Sequence, residues 1–211
     1  MSSTTSAIRP NVTVHRPDMT KIGVIVWLAS DLMFFAGLFA VYFTHRAVQG
    51  PEVWAASSGL LNLPFAAINT LILVSSSVTC QFGVWAAERF QPTRTGSIFD
   101  LRRWGLQEWF ALTYLLGATF IAGQIWEYAE LFGEGLTLQN SAYGSVFYIA
   151  TGFHGLHVLG GLIGFLFVLA RSFSTFKFGH REATQAVVVS FYWHFVDAVW
   201  LVLFAVIYLL R

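Results

Sequence analysis

Long stretches without Asp, Glu, Lys or Arg recur along the chain. The first covers residues 22–43 and is broken only by Asp31; the second covers 53–87. Three more cover 109–126, 135–170 and 183–210, the last broken only by Asp197. About 20 predominantly apolar residues cross a bilayer as an α-helix. Pro64 belongs in a first turn, so the second helix starts near Asn62. The pattern predicts helices over 22–45, 62–88, 105–131, 141–171 and 183–210, joined by short loops. Strand-like alternation is missing, and backbone amides in hydrocarbon must bond internally, so a helical bundle is expected rather than a barrel.

Residues 1–20 are polar and contain Pro10 and Pro17; they read as a tail, with 21–211 as one domain. The apolar run begins after Lys21 at full membrane length, so the reading includes no secretory signal peptide. Lys and Arg are unevenly placed. Ten (Arg9, Arg16, Lys21, Arg89, Arg94, Arg102, Arg103, Arg171, Lys177 and Arg181) fall on one side of the expected spans, and Arg46 and Arg211 on the other. The bias puts the N-terminus in the cytoplasm and the C-terminus outside. The fold expected is therefore all-α, a polytopic bundle of five transmembrane helices.

Composition agrees. Of 211 residues, 56% are hydrophobic and 11% charged, against roughly 25% charged in soluble domains. These figures exclude a soluble enzyme and a disordered chain. A net charge of +1 gives no field for nucleic acid. The single cysteine, Cys80, excludes a disulfide framework or a Cys-rich metal site.

Ionisable residues at membrane depth are the functional candidates. Asp31 lies near the midplane, as do His154 and His157 on the fourth span and His194 and Asp197 on the fifth. Glu127 lies toward the outer end of the third. The midplane groups are expected to face the bundle interior and pair with one another. His194 and Asp197 share a helix face, as do His154 and His157. Two readings stay open: a proton-linked or ligand-linked cluster, or interhelical hydrogen bonding that serves packing alone. Iron sites of two histidines and one carboxylate exist, but no clustered Glu or HExxH accompanies these histidines. His15, His45 and His180 read as surface residues.

Gly152, Gly155, Gly160, Gly161 and Gly164 on the fourth span, and Ser75, Ser76 and Ser77 on the second, allow close helix approach. Trp27, Phe34, Phe35, Trp193 and Trp200 flank the polar positions. They read as packing, or as the walls of a lipid or apolar-gas crevice. A freestanding proton-coupled transporter is a further reading, but no internal repeat is visible.

Residues 143–158, YGSVFYIATGFHGLHV, and 191–200, FYWHFVDAVW, stand with LASDLMFFAGLFAVYF in the first span and GQIWEY at the end of the third. Together they resemble subunit III of the haem–copper terminal oxidases, in order and across the whole membrane region. The length is similar to the short five-helix bacterial form. The resemblance implies a subunit without haem or copper, those centres lying in subunits I and II. It implies a chain that braces subunit I, sustains proton uptake, protects against turnover-dependent inactivation and binds phospholipid in a crevice, a proposed oxygen route.

It also aligns Asp31 with the family's carbodiimide-reactive carboxylate, commonly Glu, and Glu127 with an acidic position of the third helix. His154, His157, His194 and Asp197 match the motifs directly. Asp at position 31 is similar to the quinol-oxidising branch, whereas GFHGLHV and FYWHFVD favour the cytochrome c branch. A bacterial plasma-membrane location follows from the resemblance, and a supercomplex with a quinol–cytochrome c reductase is compatible with it.

Overall fold

The computed structural model describes residues 19–97, 100–139, 141–174 and 178–210, leaving aside the side chains of Pro51, Val53 and Ala56. The tail residues before Met19, with Arg9, His15 and Arg16, lie outside the described residues, as do Lys177 and Arg211. Five helices are long and apolar enough to cross a membrane. They are α1 (Met19–Gln49), α3 (Leu63–Glu88), α4 (Leu106–Gly133), α5 (Ala142–Ser174) and α6 (His180–Phe204), the last continued by a π-helical turn over Ala205–Leu209. A short helix, α2 (Pro51–Ser58), stands between the first two spans. No strand occurs among the described residues.

The ends are set by local chemistry. The Asn62 side chain accepts from the Phe65 amide at 3.2 Å, and Pro64 sits in the first turn of α3. Phe90 adopts a left-handed conformation after α3, and the Gln91 amide reaches back to the Ala86 carbonyl at 3.0 Å. That geometry closes off carbonyls a helix end leaves orphaned. Glu108 accepts from the amides of Gly105 and Arg94 at 3.1 and 3.2 Å, so the loop is tied to the start of α4. Glu182 does the same for Gly179 at 3.0 Å and meets Arg171 of α5 at 3.4 Å.

Helix α2 was absent from the sequence expectation, which merged its apolar residues into the following run. Gly50, at φ 81°, turns the chain, and Pro51 opens the helix. Trp54 is its anchor: buried, it donates to the Tyr42 hydroxyl at 3.3 Å and meets the Tyr143 ring at 4.9 Å between centroids. Tyr42 in turn donates to the Val206 carbonyl at 3.2 Å. Thus α2 closes one end of the bundle over α1, α5 and the π turn.

Helices α3, α4, α5 and α6 form a closed ring in which each packs on the next, and α1 lies outside it against α5 and α6. The burial pattern says why. Helix α1 buries Leu28, Phe35 and Tyr42, a single stripe of seven-residue spacing, whereas α5 and α6 bury long faces. In the ring, Trp193 is the largest element of the core that needs small neighbours. A methyl group at Gly117 of α4 would stand 2.6 Å from Trp193 Cη2, and one at Gly161 of α5 would stand 2.7 Å from Cε3. The indole therefore lies directly on two helix backbones.

Gly117→Val and Gly161→Val are expected to lower the stability of the purified protein by about 1–3 kcal/mol through overpacking. Gly155→Ala is expected to stay within about 0.5 kcal/mol, because nothing lies within 4 Å of its added methyl. Thermal unfolding in one detergent compares the three.

Candidate functional site

The membrane-depth polar groups form separate sites on three helix interfaces, not one layer of mutually paired residues. The first joins α1 to α5. His157 Nδ1 lies 2.7 Å from the Phe153 carbonyl, which can only accept, so Nδ1 carries a proton. Nε2 lies 3.2 Å from both Asp31 oxygens. Either the ring is doubly protonated beside a carboxylate, or the acid donates to a neutral ring. Both arrangements hold the same proton between the two residues and sum to zero charge. Neutrality is what hydrocarbon demands of a pair at membrane depth. The His157 ring rests on Phe35 at 5.0 Å and Phe34 at 6.3 Å, and Tyr192 donates to the His157 carbonyl at 2.9 Å.

The second site joins α3 to α6. The Ser77 hydroxyl donates to Asp197 Oδ2. His194 Nδ1 lies 2.9 Å from Ser77 Oγ, and Nε2 lies 3.3 Å from Gln81 Oε1. With both ring nitrogens donating, the set is an imidazolium and a carboxylate linked through a hydroxyl. Moving protons through Ser77 gives a neutral acid and a neutral ring with no change in their number. The arrangement can therefore relay a proton along its own length.

The third site is Glu127 on α4. It accepts from Tyr208 at 2.8 Å and from Gln124, one turn back, at 3.1 Å. Tyr208 stands in the π-helical turn, which carries its ring over Glu127.

His154 belongs to none of these. Its ring is fully buried against Trp200 at 4.8 Å and Phe120 at 6.0 Å, and neither nitrogen has a partner among the described residues. The two histidines share a broad helix face, yet three positions leave them about 60° apart around the axis. That is enough to aim His157 at α1 and His154 into the ring.

Ser77, Gln81, Gln124 and Tyr208 were not singled out as polar partners from sequence. The triple serine suggests small-residue packing from sequence alone; in the structure Ser76 and Ser77 supply hydroxyls. Ser76 accepts from Trp193 Nε1 at 2.9 Å, and Thr70 accepts from Trp200 Nε1 at 3.0 Å. Both tryptophans are enclosed in the ring core. They therefore stand apart from Trp27 and Phe34, which are exposed, while Phe35 is buried on the α1 stripe. Trp27 stacks on Tyr192 at 5.5 Å and borders a groove of about 250 Å³ floored by Gly160, Gly161 and Gly164. Gly152 and Gly155 have no neighbour closer than 3.9 Å to an added methyl. Among the described residues, no three His, Cys, Asp or Glu side chains gather as metal ligands.

The chain resembles known proteins over its whole length. A family described as Cytochrome c oxidase subunit III matches residues 3–211. "Probable cytochrome c oxidase subunit 3" of Mycobacterium leprae is 51% identical over 216 residues, covering 100% of both chains. "Cytochrome c oxidase subunit 3" of Corynebacterium diphtheriae is 52% identical over 94% of this chain and 91% of its own. The protein of the same name from Thermostichus vulcanus is 35% identical, over 93% and 90%.

Asp197→Asn replaces the carboxyl group that Ser77 and His194 are arranged around. It is expected to cost about 1–2 kcal/mol of stability and to lower the yield of assembled complex, with haem content and turnover per assembled complex retained. Loss of turnover in a fully assembled complex of normal haem content would assign Asp197 to the chemistry instead.

Proposed function

The chain belongs to the cytochrome c oxidase subunit III family, and from that premise we propose that it braces the catalytic subunit, supports proton uptake into it and holds phospholipid. It is a multi-pass membrane component of a complex with other oxidase subunits. The proposed neighbours are subunits I and II, which on this reading carry the haem and copper, in a bacterial plasma membrane. A supercomplex with a quinol–cytochrome c reductase is compatible with this arrangement. Family membership displaces the freestanding transporter, and the relatives' printed names stand with the cytochrome c branch rather than the quinol branch.

The observation that carries the proton-linked part is the Asp31–His157 pair. It holds one proton deep in the bilayer, and losing that proton would leave a net charge in hydrocarbon. Such a pair resists leakage and can pass its proton on only as a donor supplies another, so that the pair stays neutral. The lipid-holding part draws on the groove over Gly160, Gly161 and Gly164, bordered by Trp27. The proposed orientation, N-terminus cytoplasmic, draws on the placement of Lys21, Arg89, Arg94, Arg102, Arg103, Arg171 and Arg181 at one end of the spans. Only Arg46 of the described basic residues lies at the other.

The test uses the oxidase drawn from aerobic membranes by a tag on this chain in mild detergent. Haem–copper subunits I and II are expected to accompany it, seen by optical spectrum and mass spectrometry. In the Asp31→Ala oxidase, oxygen consumption is expected to begin near the normal rate and decay faster during turnover. Unchanged decay would remove Asp31 from the proton-supply role, and a chain that purifies alone and colourless would overturn the reading.

A further inference from the structure

We infer that the outer seam between α3 and α6, centred on Gln81 and His194, is where this chain docks onto a transmembrane helix of a neighbouring oxidase subunit. The inference rests on membership of the oxidase complex.

Polar side chains facing outward from a membrane helix normally satisfy themselves on their own backbone. Ser30 donates to the Val26 carbonyl at 3.3 Å, Ser75 to Leu71 at 2.7 Å and Thr119 to Leu115 at 2.8 Å. Lipid tails can then cover them without loss.

The seam differs. Gln81 and His194 are only partly buried within this chain, and Ser77 beside them likewise. Both nitrogens of His194 are committed to Ser77 and Gln81. One end of the Gln81 carboxamide is thus held by His194, and the other has no partner among the described residues. Gln81 lies seven residues inside the end of α3 at Glu88, about 10 Å of helix. The 26 residues of α3 span about 39 Å against a hydrocarbon core of about 30 Å, so with the excess shared between the two ends Gln81 lies about 5 Å inside the core. An amide end left against acyl chains costs several kcal/mol on hydrocarbon scales.

The surroundings suit a helix. Val78 of α3 and Leu201 and Val202 of α6 are exposed beside the polar pair, and Ala198 is a small exposed step between them. His194, Ala198, Leu201 and Val202 follow one face of α6. Small residues let a second backbone come close, and one hydrogen-bonding side chain then fixes its register. The occupant is a transmembrane helix that presents a hydroxyl, amide or backbone carbonyl at the level of Gln81.

A photo-crosslinking residue placed at Ala198 or Val202 in the full chain tests this in native membranes. Leu115 and Ile125, exposed on α4, serve as comparison positions. The expected result is a crosslink from 198 and 202 to a larger oxidase subunit, with little or none from 115 and 125. Gln81→Leu is expected to lower several-fold the amount of that subunit retained per tagged chain in detergent, whereas Ser75→Ala leaves it unchanged. Crosslinks from α4 but not α6, in a complex that still co-purifies, would overturn the docking face and leave the function standing. A crosslinked pair of this chain with itself would overturn it in favour of a second copy. Absence of any oxidase subunit from the purified material would overturn the functional reading underneath.

Discussion

The structure depends on one constraint: indole and ionisable groups at membrane depth that their own helix backbone does not satisfy take partners from neighbouring helices, His154 excepted. The interface of α3 with α6 bears most of that demand. On its inner side, Trp193 and Trp200 donate to Ser76 and Thr70. On its outer side, Ser77 holds both Asp197 and His194. Two hydroxyls in succession, Ser76 and Ser77, point to opposite sides of one seam. Gly117 and Gly161 then let α4 and α5 close on the Trp193 ring. The ring of four helices follows from the seam, and α1 joins it through the Asp31–His157 pair and a single apolar stripe.

The three polar sites differ in what they permit. Glu127 is enclosed and held by two donors, an arrangement suited to fixing the π-helical turn against α4. Asp31 with His157, and Asp197 with His194, each have two proton arrangements of equal total charge. Such pairs tolerate the bilayer and can respond to a neighbour that supplies or takes a proton. For a member of the cytochrome c oxidase subunit III family, that chemistry is what the proposed proton-linked role draws on.

The five spans were legible because charge-free runs of membrane length have no other stable outcome, and Pro64 points to a start near Asn62, the residue that caps α3. Helix α2 was not, because its residues blend into the next apolar run and its anchor, Trp54, acts through Tyr42 and Tyr143 on other elements. Asp31, His157, His194 and Asp197 stood out by their depth. Their partners did not, since a serine in an apolar helix reads equally as a spacer or a donor. The separation of His154 from His157, and the enclosure of Trp193 and Trp200, depend on which helices are neighbours. That is information a single sequence does not carry in its periodicity.

The measurement closest to the central claim is a double-mutant cycle across the seam, with Trp200→Phe, Thr70→Val and the pair compared by thermal unfolding of the assembled oxidase. A hydrogen bond that ties α6 to α3 predicts a coupling of about 0.6–1.7 kcal/mol, the second substitution costing little once the first is made. Losses that simply add would show that the two residues do not act together, and that the ring is held by packing alone.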